Sequence, residues 1–143
     1  MRGMVFVFAV LGLLFATQEA ARLMGPEGGS IINISSVVST TGLAGSSVYS
    51  ATKAAVDSLT RTLASELGPR SIRVNAINPG MVDTEGARAA GFVDGDIRKD
   101  IESRTPLGRI GQPRDIAPAA VFLASDDAAW ITGETLLIAG GIR

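Results

Sequence analysis

Residues 30–36 read Ser-Ile-Ile-Asn-Ile-Ser-Ser and residues 72–80 read Ile-Arg-Val-Asn-Ala-Ile-Asn-Pro-Gly, and these two stretches with the segment between them decide the fold. Ile31, Ile32 and Ile34 form a β-branched run without strict alternation, as in a parallel strand covered on both faces, so a central strand is expected over Ser30–Ser35. Val48–Leu67 carries apolar residues at Ala55, Leu59, Leu63 and Leu67 and stops at Gly68 and Pro69, which reads as a long helix with that face packed. Ile72–Ile77 is the next strand and runs into the turn formers Asn78, Pro79 and Gly80. Strand, helix, strand implies a right-handed parallel crossover and hence an α/β domain.

Working outward, Val5–Met24 reads as another long helix, apolar nearly all round at first and amphipathic later, stopped by Gly25 and Pro26. Arg2 followed by the apolar run Met4–Ala16 has the length and flank of a secretory signal, which is the alternative reading. No clean small-x-small site ends the run, and it continues without a turn into Thr17–Met24, so a buried helix is expected. The run is too short to span a bilayer. Residues 83–103 are small, charged and Gly-punctuated, a flap with a weak helical pattern near Asp96–Arg104 and Phe92 as its aromatic. Pro113–Ala124 is a helix with Asp115 in its first turn, and Gly133–Ile138 a last strand.

The 143 residues fit one domain, residues 1–143, and the scarcity of aromatics points to close packing of small side chains. Thirteen basic residues against fourteen acidic, with no run of like charge, give neither a phosphate backbone nor an anionic bilayer a footing, so nucleic acid and membrane are not expected partners. With no Cys and no His, zinc sites of the Cys/His type, disulfides and His-dependent triads are excluded; no metal site is expected, and a cytoplasmic location fits. Acid–base chemistry falls to carboxylates, Tyr or Lys. Tyr49 and Lys53 lie four apart, one turn along one helix face, where an ammonium favours an ionised phenol. Spacing alone leaves open an exposed surface pair. The setting adds weight, because Ser35 and Ser36 close a central strand at its carboxyl end, where open parallel sheets bind ligands.

These residues carry a resemblance. Asn33-Ile-Ser-Ser36, the Tyr49/Lys53 helix, Asn78-Pro-Gly-Met-Val-Asp-Thr84, Thr105–Ala117 and Phe122–Asp126 leading to Ile131–Glu134 resemble, in order and spacing, the short-chain dehydrogenase/reductase family, over about Gly12 to Gly141. The resemblance implies a partial Rossmann-like, doubly wound parallel sheet and hydride transfer between NAD or NADP and a small carbonyl or alcohol substrate. It implies that Tyr49 exchanges a proton with the substrate oxygen, that Ser36 hydrogen-bonds that oxygen, and that Lys53 holds the nicotinamide ribose. Ser36 stands thirteen before Tyr49, as in the family; Ser35 then reads as a hydroxyl satisfied by nearby backbone. Pro79, Gly80 and Val82 are implied as backbone contacts to the cofactor and Thr84 as a hydroxyl contact, with Val82 as a plain core residue the alternative; Asn78 reads as a turn cap. A homo-oligomer, dimer or tetramer, or pairing with a paralogue is implied through the two long helices and the last strand. Sugar dehydrogenases and acyl-carrier ketoreductases are resembled about equally.

Two departures stand out. A dinucleotide needs a glycine-rich turn opening a helix; Thr41–Gly45 does not supply it. Matched to the family, the chain begins just before the fourth helix, so the N-terminal βαβαβ half is expected to be missing, a truncation on the order of a hundred residues. The chain is then expected to be inactive alone. Ala9 stands where the family has an asparagine that holds a relay water, so proton exchange is expected to be slowed. Ala139 replaces a common Asp or Asn, a minor change.

Overall fold

The computed structural model describes residues 2–143, with side chains described from Val7 onward. Its order is α1 (Arg2–Leu23), β1 (Gly29–Ile34), α2 (Ser47–Leu67), β2 (Ile72–Pro79), α3 (Glu85–Ala89), α4 (Gly95–Arg104), α5 (Pro113–Ala124) and β3 (Thr135–Ile138). A 3₁₀ turn, Val37–Ser39, follows β1. The three strands form one parallel sheet in the order β1-β2-β3, with Ile31 opposite Val74 and Ile77 opposite Leu136.

Helices cover both faces, which is the doubly wound expectation. Ile31 packs with Ala21 of α1, Leu63 and Ala64 of α2, and Ile72 and Val74 of β2. Its neighbour Ile32 packs on the opposite side with Ile77, Leu123 of α5 and Ile138. Successive side chains of a strand point to opposite faces, so a run of isoleucines serves two cores at once.

Several expectations are corrected. The packed face of α2 is wider than the predicted Ala55/Leu59/Leu63/Leu67 stripe: Leu63 is buried with Leu59 and Leu67 packed against the same core, and Thr52, Val56, Asp57, Thr60 and Ala64 are buried besides. The threonines tolerate burial because each hydroxyl donates to the carbonyl one turn back, Thr52 to Val48 at 2.8 Å and Thr60 to Val56 at 2.9 Å. Helix α1 is covered on one side only; Thr17 and Ala21 are buried, whereas Phe8, Leu11 and Phe15 are exposed. The flap holds two helices, α3 and α4, and it buries Val93 while leaving Phe92 exposed. β3 starts at Thr135 because Gly133 has φ +79°, outside strand geometry. β2 runs two residues longer than predicted, since Asn78 and Pro79 pair with Leu137 and Ile138.

One ion pair anchors α5. Arg109 clasps Asp115 through both oxygens at 2.6 and 3.0 Å, and Asp115 also accepts the Gln112 N–H at 2.7 Å, capping the helix. The Arg109 guanidinium, helped by that N–H, holds the Asp115 carboxyl at about 2. A carboxyl with a depressed folded pKa stabilises above its unfolded value and loses that contribution as pH falls through the folded one. Thermal unfolding of the unaltered chain should therefore weaken between about pH 4 and pH 2 more steeply than that of Asp115→Asn; parallel curves would contradict this.

Candidate active site

β1 and α2 are stitched together where β1 ends. Asn33 Nδ2 donates to Thr60 Oγ1 at 2.9 Å inside the core. Ser35 Oγ donates to the Lys53 carbonyl at 3.1 Å, and Lys53 Nζ donates back to the Ile34 carbonyl at 2.9 Å. The two reciprocal bonds bring the first turns of α2 to the carboxyl end of the strand. Lys53 Nζ stands 5.7 Å from the centre of the Tyr49 ring, within cation–π range. Burial pushes the Lys53 ammonium below its ordinary range, and the charge of Asp57 opposes that.

Tyr49 is 49% exposed and so open to solvent. Ser36 is buried, next to Ser35, and begins the 3₁₀ turn; its Oγ receives only a long 3.4 Å contact from the Val38 N–H, which leaves the hydroxyl free to donate.

The loop after β2 lies alongside. Gly80 donates its N–H to the Ile138 carbonyl at 3.0 Å, and a Cβ there would meet Ala139 Cα at 2.9 Å, so glycine is needed for the approach to β3. Val82 bridges to Gly111 through its neighbours: Gly111 donates to the Met81 carbonyl and Asp83 donates to the Gly111 carbonyl. Val82's own N–H and carbonyl make no hydrogen bond among the described residues. Val82 is half-buried, neither sealed in the core nor fully open to solvent. Thr84 is exposed and spends its oxygen as N-cap of α3, accepting the Ala87 N–H at 3.2 Å, a structural duty the sequence did not reveal. Asp83 pairs with Arg88 at 2.6 Å, which holds its carboxyl below the usual range.

Ser36 follows β1, Tyr49 and Lys53 lie on the first turns of α2, Pro79 ends β2, and Gly80, Val82 and Thr84 follow it, so all seven stand toward the carboxyl end of the sheet, the side on which parallel α/β sheets bind ligands. Asn78 departs from its expected role as a turn cap. Its side chain points inward to Asp57, and its Oδ1 is a buried polar atom without a partner among the described residues. Ala9, where the family's asparagine was expected, is exposed on α1.

Comparison with known proteins decides the lineage. The family described as enoyl-(acyl carrier protein) reductase matches residues 4–143. The chain is 52% identical over 139 residues to an uncharacterized oxidoreductase of Methylorubrum extorquens, covering 97% of this chain and 56% of that protein. It is 45% identical to the 3-oxoacyl-[acyl-carrier-protein] reductase of Vibrio harveyi, over 84% of this chain and 48% of that one. A short-chain type dehydrogenase/reductase from Mycobacterium ulcerans superimposes with a TM-score of 0.92 at 35% identity, over 98% of this chain and 51% of its own. The chain belongs to the short-chain dehydrogenase/reductase family. It spans about half the length of the curated relatives it matches. As a short-chain dehydrogenase/reductase chain it carries a three-strand parallel part of a Rossmann-like sheet, in agreement with the fold read from the sequence. Among the described residues no helix is long and apolar enough to cross a membrane.

Proposed function

We propose that this chain is the catalytic part of an NAD(P)-dependent oxidoreductase that moves a hydride between a nicotinamide cofactor and a small carbonyl or alcohol. The observation that carries the reading is the juxtaposition of Lys53, Tyr49 and the end of β1, where one lysine is bonded to the strand terminus and stands within cation–π range of the phenol ring. The nicotinamide, when bound, supplies or accepts the hydride. In this reading Tyr49, exposed at the mouth, exchanges the proton with the substrate oxygen, and the Ser36 hydroxyl donates to that same oxygen. Lys53 has three N–H donors and spends one on Ile34, keeping donors for the cofactor's ribose.

The residues after β2 fit the nicotinamide end of such a cofactor. Val82 offers an unpaired N–H and carbonyl, Pro79 and Gly80 line its approach, and Thr84 keeps a hydroxyl proton to donate. No glycine-rich turn opening a helix is present for the pyrophosphate. The test is to join this chain to the nucleotide-binding half of the Vibrio harveyi reductase and follow NADH or NADPH absorbance with a 3-oxoacyl thioester and with small sugars. Turnover with either is the expected result; cofactor binding without any turnover would defeat the reading.

A second reading is favoured by α1, which exposes Val7, Phe8, Leu11 and Phe15 on one helix. An exposed apolar face of that kind fits association with a second copy or with an intact paralogue, without catalysis. The joined protein separates the two: turnover supports the oxidoreductase, whereas NADH binding without turnover, with the chain alone sedimenting as a dimer, supports the association role.

A further inference from the structure

Asp57 is a buried acidic group that the oxidoreductase reading does not use. It follows Lys53 by four residues and lies one turn further along α2, yet it is 4% exposed and forms no salt bridge among the described residues. A carboxylate with so little access to water requires donors. Both its oxygens face one group, Asn78 Nδ2, at 3.1 and 2.9 Å. The same nitrogen stands 3.1 Å from Ser39 Oγ and 3.4 Å from the Ser36 carbonyl. A single amide therefore joins α2, the end of β2 and the turn that carries Ser36. Its orientation follows from the chemistry: flipping it would set Oδ1 against two carboxylate oxygens, so the NH₂ faces Asp57 and Oδ1 goes without a donor.

We propose that Asp57 and Asn78 are positioning residues of this site: Asn78, anchored on Asp57, fixes the Ser36–Ser39 turn, and Asp57, one turn along α2 from Lys53, sets its carboxylate on the lysine's side of the helix. The proposal takes its meaning from the oxidoreductase reading and is tested without it.

The surroundings of Lys53 leave the part of counter-charge to Asp57. β1 and the 3₁₀ turn bring only neutral groups to this face, Asn33, Ser35, Ser36 and Ser39. On β2, Arg73 is bonded on the other side to the Leu123 and Ser125 carbonyls. On α1, Glu19 and Arg22 pair with each other, and Arg70 is spent on the Ala21 and Met24 carbonyls. Among the described residues, Tyr49 and Asp57 are the ionisable groups that act on Lys53. Burial disfavours the ammonium and the Asp57 charge opposes burial, so removing that charge leaves burial unopposed.

The chain has two lysines, Lys53 and Lys99, so ¹³C NMR of lysine-labelled protein gives two ε-carbon signals, assigned by Lys99→Arg. Asp57→Asn retains an acceptor oxygen for Asn78 and removes only the charge. The expected result is a Lys53 titration midpoint at lower pH, an unmoved Lys99, and unchanged amide signals for Val37–Thr40. Asn78→Ala is expected to do the reverse, shifting those amides and speeding their hydrogen exchange while moving Lys53 less than Asp57→Asn does. Should either variant lose its fold, the unaltered chain still decides, because an Asn78 side-chain NH₂ held by a buried carboxylate must exchange slowly. An unmoved Lys53 midpoint in folded Asp57→Asn, or a freely exchanging Asn78 amide, would overturn the proposal. None of these readouts needs cofactor or turnover, so their failure would leave the oxidoreductase reading standing, and its failure would leave them intact.

Discussion

Tyr49→Phe is expected to lower kcat of the completed enzyme by roughly a hundred- to ten-thousand-fold, the usual contribution of a positioned general acid or base. The substitution removes one oxygen and keeps the ring, so the contact with Lys53 Nζ at 5.7 Å from the ring centre survives. Because the side chain is half exposed and bonds to nothing else among the described residues, its loss should leave thermal stability within about 0.5 kcal/mol, as for ordinary surface changes. Cofactor affinity should also persist, since Lys53 and the loop after β2 are untouched. Rates measured alongside nicotinamide fluorescence check both halves of the expectation. Turnover retained at the level of the unaltered protein would remove Tyr49 from the chemistry.

The second large effect is on stability. Asn75→Ala is expected to destabilise the fold by about 2–4 kcal/mol, the general cost of leaving two partly buried backbone groups unpaired. Asn75 is 0% exposed in the middle of β2. Its Nδ2 donates to the Ile131 carbonyl at 2.9 Å and its Oδ1 accepts the Glu134 N–H at 3.0 Å, so one side chain adds two bonds beside the backbone pairs Gly133–Val74 and Glu134–Ala76 that lead into β3. Thr132 Oγ1 supports it by accepting the Val74 N–H at 3.0 Å. Chemical denaturation measures the loss, and Asn75→Asp, which sets a buried carboxylate oxygen against the Ile131 carbonyl, should cost at least as much as Asn75→Ala. A midpoint unchanged in Asn75→Ala would show that water replaces both bonds at no cost.

Much of this was legible along the chain. The isoleucines at 31, 32 and 34 and the glycine and proline stops after the two long helices mark a parallel β-α-β unit, and the serine, tyrosine and lysine spacing marks its candidate site. Other features were invisible. Asp57 breaks an apolar helix face, which in a sequence reads as a solvated edge; it is buried because Asn78, twenty-one residues on, turns its amide toward it. The predicted stripe on α2 missed Thr52 and Thr60 for a related reason, since threonines count as polar until their hydroxyls close on the carbonyl one turn back. Thr84 could not be seen as a helix cap because the five-residue α3 is too short to show a period.

By itself the sequence determined the alternation of the main strands and helices, where the two long helices stop, and the residue types at the strand ends, because periodicity and turn chemistry act over a few neighbouring residues. Tertiary structure alone decided which polar side chains are buried, which carbonyl Lys53 reaches, and how far the packed face of α2 extends beyond its leucines. A buried donor or acceptor is stable only with a partner, and here the partners come from strands and turns distant in the chain, so they exist only once β1, α2 and β2 have docked.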